Sequence, residues 1–141
     1  MKKMLVEAKN LLEKERASLV LIREGQEPHI DFRSGLIPLW EAYRDGNWSG
    51  GVLADRVIGR GAAFLAVDME LISIYSPLMS RGAVEIFKKW GIEFKYELQV
   101  ERIRDRSGKG LCPMEALLEG IEESHTAIQR LNQFFLERKG G

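Results

Sequence analysis

The order of helical and strand-like patterns constrains the fold of this chain more than any other feature. Helical patterns cover residues 3–16, 52–67 and 81–90, and strand patterns cover residues 18–23, 29–33, 70–75 and 92–98. The first two strands follow each other and predict an antiparallel hairpin, whereas the later strands alternate with helices. Strands that alternate with helices usually pair in parallel through right-handed crossovers. We therefore predict an α/β fold, a three-layer α/β/α sandwich on a mixed sheet.

Length and composition favour one soluble domain. The 141 residues show no linker or change of composition, so we predict a single domain with a core over roughly 3–120 and a C-terminal helix over roughly 122–138. Basic and acidic residues balance at 21 each, which argues against nucleic acid or a membrane as partner. A single cysteine and the lack of long apolar runs lead us to expect a cytoplasmic protein.

The predicted helix 52–67 carries the first candidate site residues. It is apolar nearly all round except for Asp55, Arg56 and Arg60, which we expect to form one stripe facing a cleft. Buried charges need partners, and pairing Asp55 with one arginine leaves the other to an anion or to solvent. The alternative is that Asp55 only stabilises the positive end of its helix. Gly59 and Gly61 are better explained by close packing than by a ligand.

The second group of candidates surrounds the start of the helix 81–90. Ser76 or Ser80 can cap this helix, and its backbone N–H groups can bind an anion beside Arg81. Helix capping alone is the simpler explanation of both serines.

The third group lies in the loop before Pro113. Cys112 is placed at a predicted helix start with Lys109 nearby, an arrangement that favours a reactive thiolate. A lone cysteine is more often a small buried apolar residue, and neither histidine is linked to it by sequence. We include Lys109 and Cys112 as candidate ligand contacts, not as catalytic residues.

The element order resembles the cytidine deaminase-like fold, in which a catalytic zinc lies between the N-termini of two helices. The family motifs His-Ala-Glu and Pro-Cys-x-x-Cys match Leu53-Ala54-Asp55 and the segment 77–81 of this chain. The three ligand positions then hold Leu53, Leu78 and Arg81, none of which binds zinc. Only the acid/base position keeps a carboxylate, Asp55. The resemblance therefore implies the fold without a metal site or cofactor, and without zinc-dependent deamination.

A closer resemblance is to a small family of unknown function that has this fold and no zinc site. It rests on the segment 52–63, Val-Leu-Ala-Asp-Arg-Val-Ile-Gly-Arg-Gly-Ala-Ala, and on Gly-Leu-Cys-Pro-Met-Glu at 110–115. The resemblance covers roughly residues 3–120 and implies a fold but no reaction.

Two hypotheses for function follow. In the first, the former active-site cleft binds a small anionic ligand such as a nucleotide or nucleoside; Asp55 contacts sugar or base, and Arg56, Arg60 or Arg81 contacts phosphate. In the alternative, the protein is a non-catalytic interaction or scaffold protein that acts as a homo-oligomer. Its interface anchors would be the large aromatic residues Trp40, Trp48, Trp90, Phe134 and Phe135.

Overall fold

A mixed sheet lies between two layers of helices, as the element order predicts. The computed structural model describes residues 2–104, 110 and 112–140. In these residues the helices are α1 (Lys2–Lys14), α2 (Ile37–Asp45), α3 (Arg60–Asp68), α4 (Arg81–Trp90), α5 (Pro113–Leu117) and α6 (Ser124–Gly140). The strands are β1 (Leu19–Ile22), β2 (His29–Asp31), β3 (Val52–Asp55), β4 (Val57–Ile58), β5 (Ser73–Ser80) and β6 (Glu93–Val100). The three-layer α/β/α prediction is confirmed.

The sheet combines an antiparallel hairpin with a parallel part. β1 pairs antiparallel with β2 and with β3, while β3, β4 and β6 all pair parallel with β5. Val52 is opposite Ser73 and Val57 is opposite Leu78, so β3 and β4 keep the same register against β5. The two short strands are thus one strand interrupted at Arg56, and the spatial order is β2, β1, β3 with β4, β5, β6.

Alternate residues of the strands belong to two hydrophobic cores, one on each face of the sheet. Val20, Val52 and Ala54 pack under α1 with Leu5, Ala8 and Leu12. Leu19, Leu21 and Leu53 face the opposite layer, where Phe64 of α3, Phe87 of α4 and Leu131 of α6 complete the larger core. Strands buried on both faces lack the alternation of polar and apolar residues that marks a half-exposed strand.

The predicted helix over 52–67 is wrong for this reason. Val52–Asp55 is buried at every position in the centre of the sheet, and α3 begins only at Arg60. A continuous apolar run fits a buried strand and a buried helix equally well, so periodicity could not separate the two. Gly59 marks the true boundary, since its extended backbone caps α3. Asp55 therefore ends a strand instead of opening a helix, and the predicted stripe does not form.

The strand predicted over 70–75 is displaced in the structure. β5 runs from Ser73 to Ser80 and passes through Pro77, which has no N–H to give to a ladder. The paired positions on both sides of β5 skip Pro77. Ser76 stabilises the backbone where the strand pairing is interrupted at Pro77. Its hydroxyl donates to the carbonyl of Leu78 at 2.7 Å and accepts from the Leu78 N–H at 3.2 Å.

The helix predicted over 81–90 is confirmed with both of its ends. The hydroxyl of Ser80 accepts from the N–H of Ala83 at 3.1 Å, and Gly91 ends the helix with a φ of 70°.

Two of the aromatic residues expected at an interface are instead in the core, since Trp40 is fully buried and Phe135 is 5% exposed. Trp90 is 48% exposed. No helix among the described residues is both long and apolar enough to cross a membrane.

Candidate functional site

A cleft of about 970 Å³ lies at the carboxyl end of β3. Asp55 and Val57 of the interrupted strand, Gly59 and Gly61 at the start of α3, and Cys112 line it. Its other walls come from the segment 33–37 and from α5 and α6. Open α/β sheets commonly bind ligands outside the carboxyl ends of their strands. Most of the surface of the cleft is apolar, so the polar groups that line it are its most informative features.

Asp55 is the buried acid of this cleft. The residue is 8% exposed, and burial raises its pKa from 3.8 to about 7. Hydrogen bonds from the backbone N–H groups of Val57 and Arg56 oppose this shift only partly; the Val57 nitrogen lies 3.4 Å from Oδ1. In the described part of the chain no cationic side chain pairs with the carboxyl group. Near neutral pH, Asp55 therefore exists in both protonation states and can donate or accept a hydrogen bond.

Glu115 is a second buried carboxylate, to which the sequence pattern had assigned no role. It is 7% exposed, and its Oε1 accepts from the backbone N–H of Arg60 at 3.0 Å. A carboxylate at this place is favourable because the N-terminus of α3 is the positive end of the helix. A Cβ at Gly59 would collide with the same oxygen, which explains the glycine. Glu115 thus joins α5 to the start of α3.

Arg56 lines the cleft but is committed to the backbone. Its Nη2 donates to the carbonyl of Leu12 at 2.7 Å, and its Nε donates to the carbonyl of Ala17 at 2.9 Å. These carbonyls lie at and just beyond the end of α1, and the Leu12 carbonyl also accepts from the backbone N–H of Ala17 at 3.1 Å. The structure therefore gives Arg56 a role in fastening α1 to the sheet, in place of the predicted contact with a ligand phosphate.

Arg60 is not among the residues that line this cleft. Its Nη1 donates to the carbonyl of Leu118, and its guanidinium carbon lies 5.5 Å from the centre of the Phe64 ring. The side chain fills the space beside Gly82, where a Cβ would come within 2.6 Å of the Arg60 Cγ. Arg60 instead lines a second, smaller cavity of about 310 Å³ between α3, α4 and α5. The predicted grouping of Asp55 with Arg60 is wrong because the Arg60 side chain packs against Gly82 of α4, at the second cavity.

The candidates around the start of α4 also lie away from the main cleft. Arg81 lines the smaller cavity, where it donates to Glu101 and to Glu85 at 3.1 Å each. The hydrogen bond with Glu101 is the main reason that the pKa of Arg81 is raised. Ser76 and Ser80 are fully buried and line neither cavity. Their hydroxyls satisfy backbone groups, as the simpler explanation from the sequence had it for Ser80.

Cys112 faces the main cleft and is partly exposed. It precedes α5, its side chain makes no capping hydrogen bond, and its backbone N–H donates to the carbonyl of Ile103 at 3.0 Å. Lys109 lies outside the described residues. Among those that are described, no three His, Cys, Asp or Glu side chains are grouped as metal ligands.

Three arginines at the cleft were not predicted as site residues. Arg33 donates to both oxygens of Asp31, at 3.1 and 2.8 Å, and to Glu41 at 2.7 Å. Arg104 is exposed on the opposite wall, and Arg138 lies with its guanidinium carbon 4.0 Å above the Phe134 ring. They come from separate segments of the chain, so no spacing along the sequence relates them. The one local signal is at Arg104, which lies in a basic run with Arg102 and Arg106.

The comparisons with known proteins point to one family. The sequence pattern of the domain of unknown function DUF1893 matches residues 7–135. The structure is similar to the crystal structure of a DUF1893 family protein (TM1506) from Thermotoga maritima, with a TM-score of 0.87 and 25% sequence identity. This similarity covers 94% of this chain and 90% of that chain. No curated protein matches the sequence.

Proposed function

Since the chain belongs to the DUF1893 family, whose function is unknown, we propose that it binds a small anionic ligand such as a nucleotide or nucleoside in the main cleft. One observation carries the proposal. A buried carboxyl group, Asp55, faces a mostly apolar cleft and has no cationic partner among the described residues. Buried ionisable groups without a partner are costly for stability and concentrate at functional sites.

The size and lining of the cleft support this ligand class. Its volume of about 970 Å³ is at the large end of the range for small-molecule sites. Leu36, Ile37 and Phe134 provide apolar surface for a flat base. Asp55 then takes the hydrogen bonds of a sugar hydroxyl or a base amino group, which offer donors to a carboxylate.

The arginines at the rim supply the positive charge for a phosphate. Arg104 and Arg138 are exposed beside the cleft, and Arg33 is more than half exposed at 55% although it pairs with Asp31 and Glu41. Guanidinium groups bind phosphate oxygens through paired N–H donors. In this proposal the phosphate contacts are Arg104 and Arg138 instead of Arg56, Arg60 and Arg81, whose side chains have other partners. Cys112 remains a wall of the cleft.

We further propose that the fold is deaminase-like without the zinc chemistry. Leu53-Ala54-Asp55 lies in β3, and the matched segment 77–81 lies in β5 and ends on the first residue of α4. The helices α3 and α4 begin at Arg60 and Arg81. Zinc would lie between the starts of these two helices, where the Arg60 side chain packs against Gly82. The guanidinium groups of Arg60 and Arg81 line this place, supply no donor atoms for a metal ion and repel its charge. Glu85 and Glu101 of the same cavity have carboxylate oxygens, but they accept hydrogen bonds from Arg81. Nothing in the proposed function requires a metal.

A thermal-shift screen of nucleosides and nucleotides tests the proposal. We expect at least one compound to raise the melting temperature in a concentration-dependent way, because it binds the folded state alone. Asp55→Asn keeps the shape of the side chain. It should raise the ligand concentration needed for the same shift in melting temperature at least tenfold, which corresponds to about 1.4 kcal/mol of binding free energy. Arg81→Gln is the matched control, since Arg81 lies at the other cavity, and should leave binding unchanged.

Arg138→Gln tests the contact with the phosphate separately from the contacts with the sugar and the base. It should reduce the binding of a nucleoside monophosphate and leave that of the matching nucleoside unaffected. Failure of every nucleotide and nucleoside to stabilise the wild-type protein would overturn the proposal. So would equal binding by the wild type and Asp55→Asn.

A further inference from the structure

The outer strand of the sheet, β6, is an open edge. It is eight residues long and, within the described residues, pairs with β5 alone. The opposite edge, β2, has only three residues. Six of the eight residues of β6 are exposed and two are partly buried. A long exposed edge strand presents a row of backbone N–H and C=O groups that another strand can pair with.

One face of β6 carries an apolar row that α4 covers only in part. Phe94 packs on Phe87 of α4, with ring centres 5.8 Å apart. Tyr96 stacks next to Phe94 at 6.4 Å, but it is 41% exposed, and Leu98 is 58% exposed. Alternate residues of the strand, Glu93, Lys95, Glu97 and Gln99, form the polar row on the other face. The edge thus offers both unpaired backbone and uncovered apolar side chains.

We propose that β6 pairs antiparallel with β6 of a second copy of this chain, about a twofold axis at Tyr96, to form one continuous sheet across a homodimer. Seven of the eight residues take part in this register. The pairs across the interface are Glu93 with Gln99, Phe94 with Leu98, Lys95 with Glu97, and Tyr96 with itself. The twofold axis repeats each unlike pair, so two Lys95–Glu97 contacts form.

The charges of the strand select this register. Residues that are opposite each other in an antiparallel pair lie on the same face of the sheet. A change of register must keep every side chain on its face, so the sum of the two paired residue numbers can change only by two or a multiple of two. One such shift opposes Lys95 with Lys95, and the shift in the other direction opposes Glu97 with Glu97. Larger shifts leave fewer residues paired. A lysine in an edge strand usually prevents pairing, but here the Glu97 of the second copy neutralises Lys95.

Glu97 is positioned for this contact before a second copy arrives. Its Oε1 accepts from the hydroxyl of Tyr75 at 3.1 Å and from Lys9 Nζ at 3.4 Å, which orients the side chain. The side chain nevertheless remains 59% exposed. Lys95 is exposed one step along the same row. The interface is separate from the main cleft, so it stands or falls independently of the proposed ligand.

Charge reversal tests the register. We expect the wild type to sediment as a dimer that dissociates on dilution, and Lys95→Glu or Glu97→Lys to weaken dimerisation roughly tenfold or more, because each opposes like charges twice. The double variant K95E/E97K restores both contacts and should restore the dimer. Lys3→Glu, an exposed lysine of α1, is the matched control and should behave as wild type.

A cysteine at the twofold axis gives a second test that does not depend on affinity. In a Cys112→Ser background, Tyr96→Cys brings two thiols directly opposite and should form a covalent dimer on mild oxidation. Leu98→Cys places its two thiols roughly 14 Å apart along the strands and should not.

Three outcomes overturn the proposal. The first is a wild type that is monomeric at every concentration, which would leave the edge to a strand of a different protein. The second is cross-linking of the Leu98 variant as readily as the Tyr96 variant, and the third is a double variant that stays as weak as the single ones.

Discussion

Asp55 shows how one residue can be found from its chemistry while its position is misjudged. The sequence singled it out as a carboxylate in an apolar segment, and the structure places it buried at the end of β3 beside the cleft. The arginines expected to accompany it are elsewhere: Arg56 binds carbonyls at the end of α1, and Arg60 packs against Gly82. The residue type and its apolar neighbours in the sequence were sufficient to identify Asp55 as a buried acid. Which side chains lie beside it depends on which helices and strands pack together.

The raised pKa of Asp55 leads to a prediction about stability. The folded protein holds the proton up to a pH of about 7, whereas the unfolded chain releases it near 3.8. This group therefore stabilises the protonated folded state at low pH, and the stabilisation is lost as pH rises through about 7. Asp55→Asn removes the loss and should raise the free energy of unfolding by roughly 2–4 kcal/mol at pH 8 relative to wild type.

Urea denaturation at pH 5 and at pH 8 measures this effect. The difference between Asp55→Asn and wild type should be smaller at pH 5 than at pH 8, because at pH 5 only part of the interval between 3.8 and about 7, over which the stabilisation is lost, has been crossed. Asp55→Asn serves as its own control in this way. A difference that is equal at the two pH values would show that Asp55 does not titrate between them.

At the scale of elements, patterns with clear ends were predicted well and uniformly apolar segments were not. The helix 81–90 is bounded by a capping serine and a glycine, and the structure keeps both ends. The strand at 92–98 alternates polar and apolar residues and corresponds to β6. By contrast, the segment 52–67 holds two strands and a helix that are mostly buried, so its hydrophobicity shows no clear period.

Arg56 gives a prediction at this scale because it connects two elements. Arg56→Ala removes both donors to the carbonyls of Leu12 and Ala17, and it should destabilise the protein by roughly 1–3 kcal/mol. Hydrogen exchange should accelerate most in the last turn of α1, which Arg56 fastens to the sheet. Lys14→Ala, a nearby exposed cation in the same turn, is the control and should change stability by less than about 0.5 kcal/mol. Equal effects of the two variants would contradict a specific role for Arg56.

At the scale of the whole molecule, α6 is part of the main core. Its apolar face packs on α3, and Leu131 is fully buried in the cluster that contains Phe64 and Leu53. The same helix places Phe134 and Arg138 on the wall of the cleft. The sequence suggested a helix here, over 122–138, but gave no indication that it would complete both the core and the site.

Two leucines of α6 test this integration. Leu131→Ala should cost about 2–5 kcal/mol in the free energy of unfolding, because it leaves a cavity in the main core. Leu136→Ala changes the same residue type on the same helix, but Leu136 is 45% exposed and its loss should cost less than about 1 kcal/mol. Chemical denaturation of both variants decides the point; similar small losses would mean that α6 is only loosely attached to the core.

The sequence by itself determined the α/β class, the mixed sheet, the caps of α4 and the presence of one buried acid. These properties follow from local composition and residue spacing, which the sequence shows directly. The tertiary structure alone decided that residues 52–58 join the sheet, that β5 continues through Pro77, and that Asp55, Glu115 and Arg138 line one cleft. These depend on contacts between residues far apart in sequence, where burial on all sides removes the periodic signal and packing selects the partners.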